Sequence, residues 1–199
     1  MANLLAPEIL LKAYSKGFFP MAASKDGEIY WHFPENRAIF PIYSIKPDRS
    51  LRKSLEKSNF SYTINRRFEY VIEQCADRED TWISNEIIDA YCDLHYLGYA
   101  HSIETWQDGR LVGGLYGVAI GGAFFGESMF NSVSNASKAA FYYLIEHLKR
   151  HQYILLDSQY INSFTQQLGA IDVSRDEYLK LLNQALKKNC SFTNQIATS

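Results

Sequence analysis

Apolar residues along this chain follow two different spacings, and each change of spacing marks an element. Pro7, followed by EILLKAYSK and closed by Gly17, has the proline start and glycine stop of a short helix. The aromatic stretches FFPM and HFP that come next read as extended, irregular loop. Helical spacing returns from Asp48 or Arg49 to Ser58, gives way to a strand around Phe60 to Ile64, and resumes around Phe68 to Cys75. SNEIIDAYCDLHYLGYA then reads as a helix capped by Ser84 and stopped by Gly98.

The middle of the chain changes to strand-like patterning. AHSIETWQDGRLVGGLYGVAIGGAFFGESMF predicts two or three antiparallel strands, with Asp108-Gly109 supplying the positive-φ residues of a hairpin turn. Ser134 or Asn135 caps a helix running to about Arg150, YILLD is a short buried strand, and Ser174 with Glu177 forms the capping box of a last helix. Strands in the middle with helices around them make the fold class α+β, and no internal repeat is visible. Glycines at 113, 114, 117, 121, 122 and 126 would weaken an ordinary sheet. Either something approaches this one closely, or it bends there at bulges.

A length of 199 residues, 47% of them hydrophobic, suits one large domain or one domain with a small appendage. Cys75, Cys92 and Cys190 are widely spaced with no CxxC pair, which points to a reduced, cytoplasmic protein. The leading segment lacks the features of a secretory signal, and no apolar run reaches the length of a membrane span. With no run of exposed apolar heptads, a monomer is expected. His147 and His151 have helical i, i+4 spacing but lack the glutamate of a zinc protease helix, so no metal is expected. GVAIGGAFFG lacks the GKS or GKT of a phosphate loop, so nucleotide hydrolysis is not expected either.

A net charge of −2 argues against wrapping nucleic acid over much of the surface. Within KPDRSLRKSLEK, however, Arg49, Arg52, Lys53 and Lys57 share one helical face, which is either a phosphate grip or a solvated surface. Two further clusters carry candidate chemistry. YILLDSQYIN ends an apolar strand in Asp157, followed by Gln159 and Asn162; strand ends of this kind host ligands, although an aspartate there can also simply cap a turn. Glu127 and Ser128 sit in FFGESMF, where an ionised carboxylate needs a cation or several donors, from a ligand or from within the chain. Phe124, Phe125, Met129 and Phe130 around it read equally well as core.

Taken in order, GFFPM, TWIS, LHYLGYAHSIETW, LVGGLYGV, FFGESMF, NASK, LLDSQYIN and LGA closely resemble the leucyl/phenylalanyl-tRNA–protein transferase family, over about residues 10 to 180. The resemblance implies a small N-terminal domain, here 1–60, joined to a GNAT (acetyltransferase)-like catalytic domain, 61–199, with a mixed, mostly antiparallel sheet. It also implies transfer of Leu or Phe, sometimes Met, from aminoacyl-tRNA to proteins beginning with Lys or Arg, marking them for degradation, with no cofactor.

Carried over to this chain, the resemblance makes Asp157 and Gln159 a catalytic pair in which Asp157 orients Gln159 or holds the acceptor's α-ammonium. Gln159 then either helps to remove the amine proton or only positions the amine. Glu127 and Asn162 become polar active-site residues, with Gly126 and Ser128 beside Glu127 among the substrate-binding positions. Phe124 and Met129 would line the pocket for the donor side chain, and Trp82 would stack on the terminal adenosine. Met21 stands where many relatives have Trp, Leu115 where some have Met, and Asn131 where Ser is common. His101, Ser102 and Glu104 either act in the site or support it. Two other readings remain at this level: an acetyl-CoA-dependent N-acetyltransferase, whose pyrophosphate loop is not found, and a non-catalytic tRNA-binding module.

Overall fold

The structure, a computed structural model, describes residues 4–193. Helix α1 (Pro7–Tyr14) leads into β1 (Phe19–Ala22), β2 (Ile29–His32) and β3 (Asn36–Phe40), then a short 3-10 turn and α2 (Arg49–Lys57). β4 (Ser61–Ile64), α3 (Phe68–Ala76) and α4 (Asn85–Tyr96) follow, then the long strands β5 (Ala100–Gln107), β6 (Arg110–Ile120) and β7 (Ala123–Asn131). The chain closes with α5 (Ala136–Arg150), β8 (Leu155–Gln159), α6 (Ser163–Gln167), β9 (Ile171–Ser174) and α7 (Arg175–Leu186).

Seven strands form one sheet in the order β4-β5-β6-β7-β8-β3-β9, antiparallel throughout except for the β7–β8 pair. This is the mixed, GNAT-like α+β arrangement that the resemblance implies. One face packs Tyr14, Tyr91, Tyr116, Phe125 and Phe130 in a core that also takes in residues of α3 and α4. The other packs Phe40, Leu115, Phe124 and Leu156 with Phe141 and Leu144 of α5.

Local chemistry accounts for most boundaries. Asp108 and Gly109 take φ of 50° and 75°, as the β5–β6 hairpin demands. The Ser84 hydroxyl accepts from the Ile87 amide at the start of α4, and Ser174 and Glu177 form a reciprocal capping box on α7. Both readings of the glycine-rich strand hold at different positions. At Gly113 a Cβ would stand 2.7 Å from the Cβ of Ala136, so the glycine lets the start of α5 lie directly on β6. Gly117 sits at a bulge against Phe124 and the Phe125 carbonyl.

Four expectations need correction. The first aromatic stretch after α1, FFPM, is not loop: Phe19–Ala22 pairs antiparallel with Ile29–His32 as a separate two-stranded sheet, whereas Phe33 and Pro34 of HFP lie in irregular chain as expected. NRAIF, not expected as a strand, is β3; a five-residue run with a charged side chain buried in it shows neither alternation nor a continuous apolar stretch. β9 is likewise new, with an exposed, irregular burial pattern. Asn135 occupies the N-cap position of α5 but does not cap it; it is left-handed at φ 65°, and its side chain donates to Ser54 instead. β3 falls within the first 60 residues of the chain, yet its ladders are with β8 and β9 of the large sheet.

Candidate active site

The parallel ladder between β7 and β8 is short: Ala123–Phe125 pair with Leu155–Asp157 and no further. Beyond that point β7 stays with β6 and β8 stays with β3, and each strand carries one extra residue. On β7 the extra residue is Glu127, because Gly117 pairs with Gly126 and Tyr116 with Ser128. On β8 it is Ser158, because Ile39 pairs with Asp157 and Ala38 with Gln159. A bulge bends its strand and re-aims a side chain, which is how a carboxylate comes to sit inside a hydrophobic strand. Gln159 adopts φ 62°, a left-handed conformation uncommon for a non-glycine residue and frequent at functional sites.

A cavity of about 300 Å³ lies at this divergence. Phe40, Leu115, Met129, Phe141, Leu144 and Leu156 give it an apolar lining, while Glu127, Ser128, Gln159 and Tyr116 bring polar groups. Met21, Trp82 and Asn162 also border it.

The two carboxylates of the cavity are held very differently. Asp157 is 0% exposed and fully engaged: Arg37 Nε and Nη2 donate to it at 2.9 and 2.7 Å, Tyr178 Oη at 2.7 Å, and the Gln159 amide N–H at 2.8 Å. Arg37, itself 1% exposed, lies between the rings of Phe19 and Tyr178, its guanidinium carbon 4.4 and 4.6 Å from their centroids. Glu127 Oε1 accepts from Tyr14 Oη at 2.7 Å and Gln159 Nε2 at 3.0 Å, and the Tyr14 hydroxyl in turn meets that of Tyr91. Its Oε2 is buried and unpartnered, although the residue as a whole is only partly buried. Burial pushes the Glu127 carboxyl up to about 7, with the Asp157 charge adding to the rise and the hydrogen bonds from Tyr14 and Gln159 opposing it.

Of the residues singled out in the sequence, Asp157, Gln159, Glu127, Asn162, Trp82, Met21, Leu115, Gly126, Ser128 and Met129 all line this cavity. Phe124 does not: it is fully buried core, stacked on Phe192 with centroids 5.1 Å apart. Asp157 is not open to an incoming ammonium, since Arg37 and Tyr178 already saturate it, and it holds the backbone of Gln159, not its side-chain amide. The Asn162 side chain caps α6 by accepting from the Thr165 amide. Glu104 accepts from the Ser102 and Thr63 hydroxyls and from the backbone amides of Arg66 and Arg67, and so secures the entry to α3, outside the cavity lining. Arg49, Arg52, Lys53 and Lys57 are exposed on α2 and in no ion pair among the described residues.

Residues 39–183 match the family model of leucyl/phenylalanyl-tRNA protein transferases, and residues 3–35 match the model of that family's N-terminal domain. The chain belongs to the leucyl/phenylalanyl-tRNA–protein transferase family. Relatives of that name include one from Chlorobaculum tepidum, 49% identical over 95% of this chain and 100% of the relative. Another, from Rhizorhabdus wittichii, is 51% identical over 90% of this chain and 75% of its own length. Among solved structures, FemX shares the fold with a TM-score of 0.57 and 13% identity, the match covering 83% of this chain and 66% of FemX.

In this member of the transferase family, the partners of the two carboxylates were missed from sequence: Arg37, Tyr14, Tyr91 and Tyr178. Arg37 left no clear signal, because it follows Glu35 and Asn36 and so reads as the polar edge of a short segment between Pro34 and Pro41, not as a charge within an apolar run. The tyrosines left none, since a phenol on a helix reads as ordinary amphipathic core.

Proposed function

We propose that this transferase moves Leu or Phe from aminoacyl-tRNA to the N-terminus of proteins beginning with Lys or Arg, by aminolysis of the tRNA ester. The observation that carries this reading is a single cavity combining an apolar lining with an unpartnered carboxylate oxygen on Glu127. The donor side chain packs among Leu115, Met129, Phe141, Leu144 and Leu156, and Trp82 stacks on the terminal adenosine with Met21 as a softer thioether contact. The acceptor's α-amine approaches Glu127 Oε2 and the Gln159 carbonyl oxygen.

Chemically little is required, because the ester is already activated and an α-amine has a reference pKa of about 7.7–8.0. One proton must leave the attacking nitrogen. A carboxyl held at about 7 is matched to that task, whereas an amide is not basic enough, so Glu127 takes the proton and Gln159 positions the amine. Asp157 acts one step back: anchored by Arg37, it fixes the Gln159 backbone in its left-handed conformation. Alignment of amine and ester supplies much of the remaining acceleration.

The exposed basic face of α2 holds the tRNA backbone, the new N-terminal residue marks the acceptor for degradation, and the enzyme works as a cytoplasmic monomer. No helix of the described residues is long and apolar enough to cross a membrane. The direct test is transfer of radiolabelled leucine, and separately phenylalanine, from charged tRNA to a peptide starting with Arg, against one starting with Ala. Arg-dependent transfer supports the assignment; no transfer from either donor by folded protein overturns it.

A further inference from the structure

Two buried polar side-chain atoms among the described residues have no hydrogen-bond partner, Glu127 Oε2 and the Tyr116 hydroxyl, and both residues line the same cavity. An unsatisfied buried hydroxyl costs on the order of 1–3 kcal/mol, so its presence calls for a reason. Packing supplies none. The Tyr116 ring stands edge-on to Phe68 and Tyr91, with centroids 5.9 and 5.7 Å away, contacts that a phenylalanine would make equally well. Two neighbouring hydroxyls are already engaged: Tyr91 with Tyr14, and Tyr14 with Glu127 Oε1. Burial, with the Glu127 charge, raises the Tyr116 phenol well above its usual value, which keeps it protonated as a donor.

An unpartnered donor and an unpartnered acceptor in one cavity suit a reaction in which a nitrogen loses a proton while an oxygen gains charge. We propose that Tyr116 is a catalytic residue whose hydroxyl donates a hydrogen bond to the carbonyl oxygen of the donor ester as negative charge develops on it. This rests on the transfer reading above. The amine nitrogen bonds to the carbonyl carbon and the C=O π pair moves onto the oxygen held by Tyr116. That pair then re-forms the carbonyl as the bond to the ribose oxygen breaks. The proton released by nitrogen passes through Glu127 to the ribose oxygen, so amide and free hydroxyl form without a co-reactant.

The test is Tyr116→Phe in the full chain, assayed with charged tRNA and an Arg-starting peptide and by thermal unfolding. Losing one oxyanion donor lowers kcat by about 10²–10³-fold. KM for the charged tRNA should stay near the wild-type value, and Tm should rise, because an unpaired buried hydroxyl has been removed. An unchanged kcat overturns the inference, as does a fall in kcat accompanied by a lower Tm, which would mark the hydroxyl as a support of the fold. To separate the two cases further, binding of a non-reactive donor in which an amide replaces the ester should be equal in wild type and variant; weaker binding in the variant also overturns it. Wild-type protein that transfers from neither donor overturns the underlying reading and this inference with it.

Discussion

Asp157 and Glu127 stand on adjacent diverging strands and border one cavity, yet they are in opposite condition. Every donor around Asp157 comes from its own chain, and the carboxylate has nothing left to offer a ligand. Glu127 keeps one oxygen buried and unpartnered, and its proton affinity is raised to about 7. A satisfied buried ion pair is an anchor, because any displacement exposes two charges to a poor solvent. An unsatisfied carboxyl stores a desolvation cost that a substrate relieves, and near neutral pH it can both take and release a proton. The bulges make this division possible, since each strand re-aims at the point where its neighbour departs.

The largest effect expected from this contrast is on rate. Glu127→Gln keeps the shape and removes the proposed base, so kcat should fall on the order of 10²–10⁴-fold. In the wild type, kcat/KM should rise as pH passes about 7, and the variant should lose that limb; a variant that keeps both rate and limb would break the comparison. Stability provides an independent check. The folded carboxyl titrates at about 7 against a usual 4.5, so the native state holds the proton more tightly between those values. This contribution is complete below about 4.5 and is lost as pH rises through 7. Urea unfolding at pH 5 and pH 8 should therefore show Glu127→Gln gaining on the wild type at the higher pH.

Next in size is the anchor. Arg37→Met strands the Asp157 charge and should cost about 3–5 kcal/mol of stability by urea unfolding. The pair Arg37→Met with Asp157→Leu should recover most of that loss, since well-packed apolar groups replace buried ion pairs at little cost. Transfer should not recover with it, because the Gln159 amide has lost its partner. Restored activity in the double variant would mean that Asp157 does not position Gln159.

Why these partners escaped the sequence while the cavity did not is a matter of range. GESMF and DSQYIN are local, and in each a polar residue interrupts an apolar run, which is legible without a fold. Helix caps at Ser84 and Ser174 and the Asp108-Gly109 turn are equally local. The Arg37–Asp157 pair spans 120 positions and the Tyr14–Glu127 bond 113, and only the insertion of β3 beside β8 and the placing of Tyr14, at the end of α1, against Phe125 bring them together. Phe124, which the resemblance put in the pocket, read equally well as core from the residues themselves, and only the fold decides between the two by stacking it on Phe192 from the far end of the chain.

A third prediction sharpens the apolar lining. Met129→Ala enlarges the cavity beside Leu115, with which Met129 is paired across β6 and β7. Differences of a few methylenes in such pockets shift discrimination by about 10–200-fold, so the ratio of kcat/KM for Phe over Leu donors should rise within that range. Phe124→Leu, a pure core change, should lower Tm and leave the ratio alone. A ratio that moves with Phe124 and not with Met129 would shift the donor pocket along β7 from Met129 to Phe124, on the face that both share.

The smallest effect is expected from α2, the region furthest in character from the buried cluster. Its Arg49, Arg52, Lys53 and Lys57 are exposed, with Asp48 engaged in capping the helix through the Leu51 amide. Exposed cations contribute little to folding, so Arg52→Ala should leave Tm within the error of the measurement. If the face grips phosphates, each lost contact removes one released counterion, and the slope of log kcat/KM against log salt should flatten by about 0.7–0.9. The loss should be equal for Leu and Phe donors, because a phosphate contact carries no information about the attached amino acid. An unchanged salt slope would assign the face to solvent and move the tRNA contact elsewhere on the surface, leaving the cavity chemistry untouched.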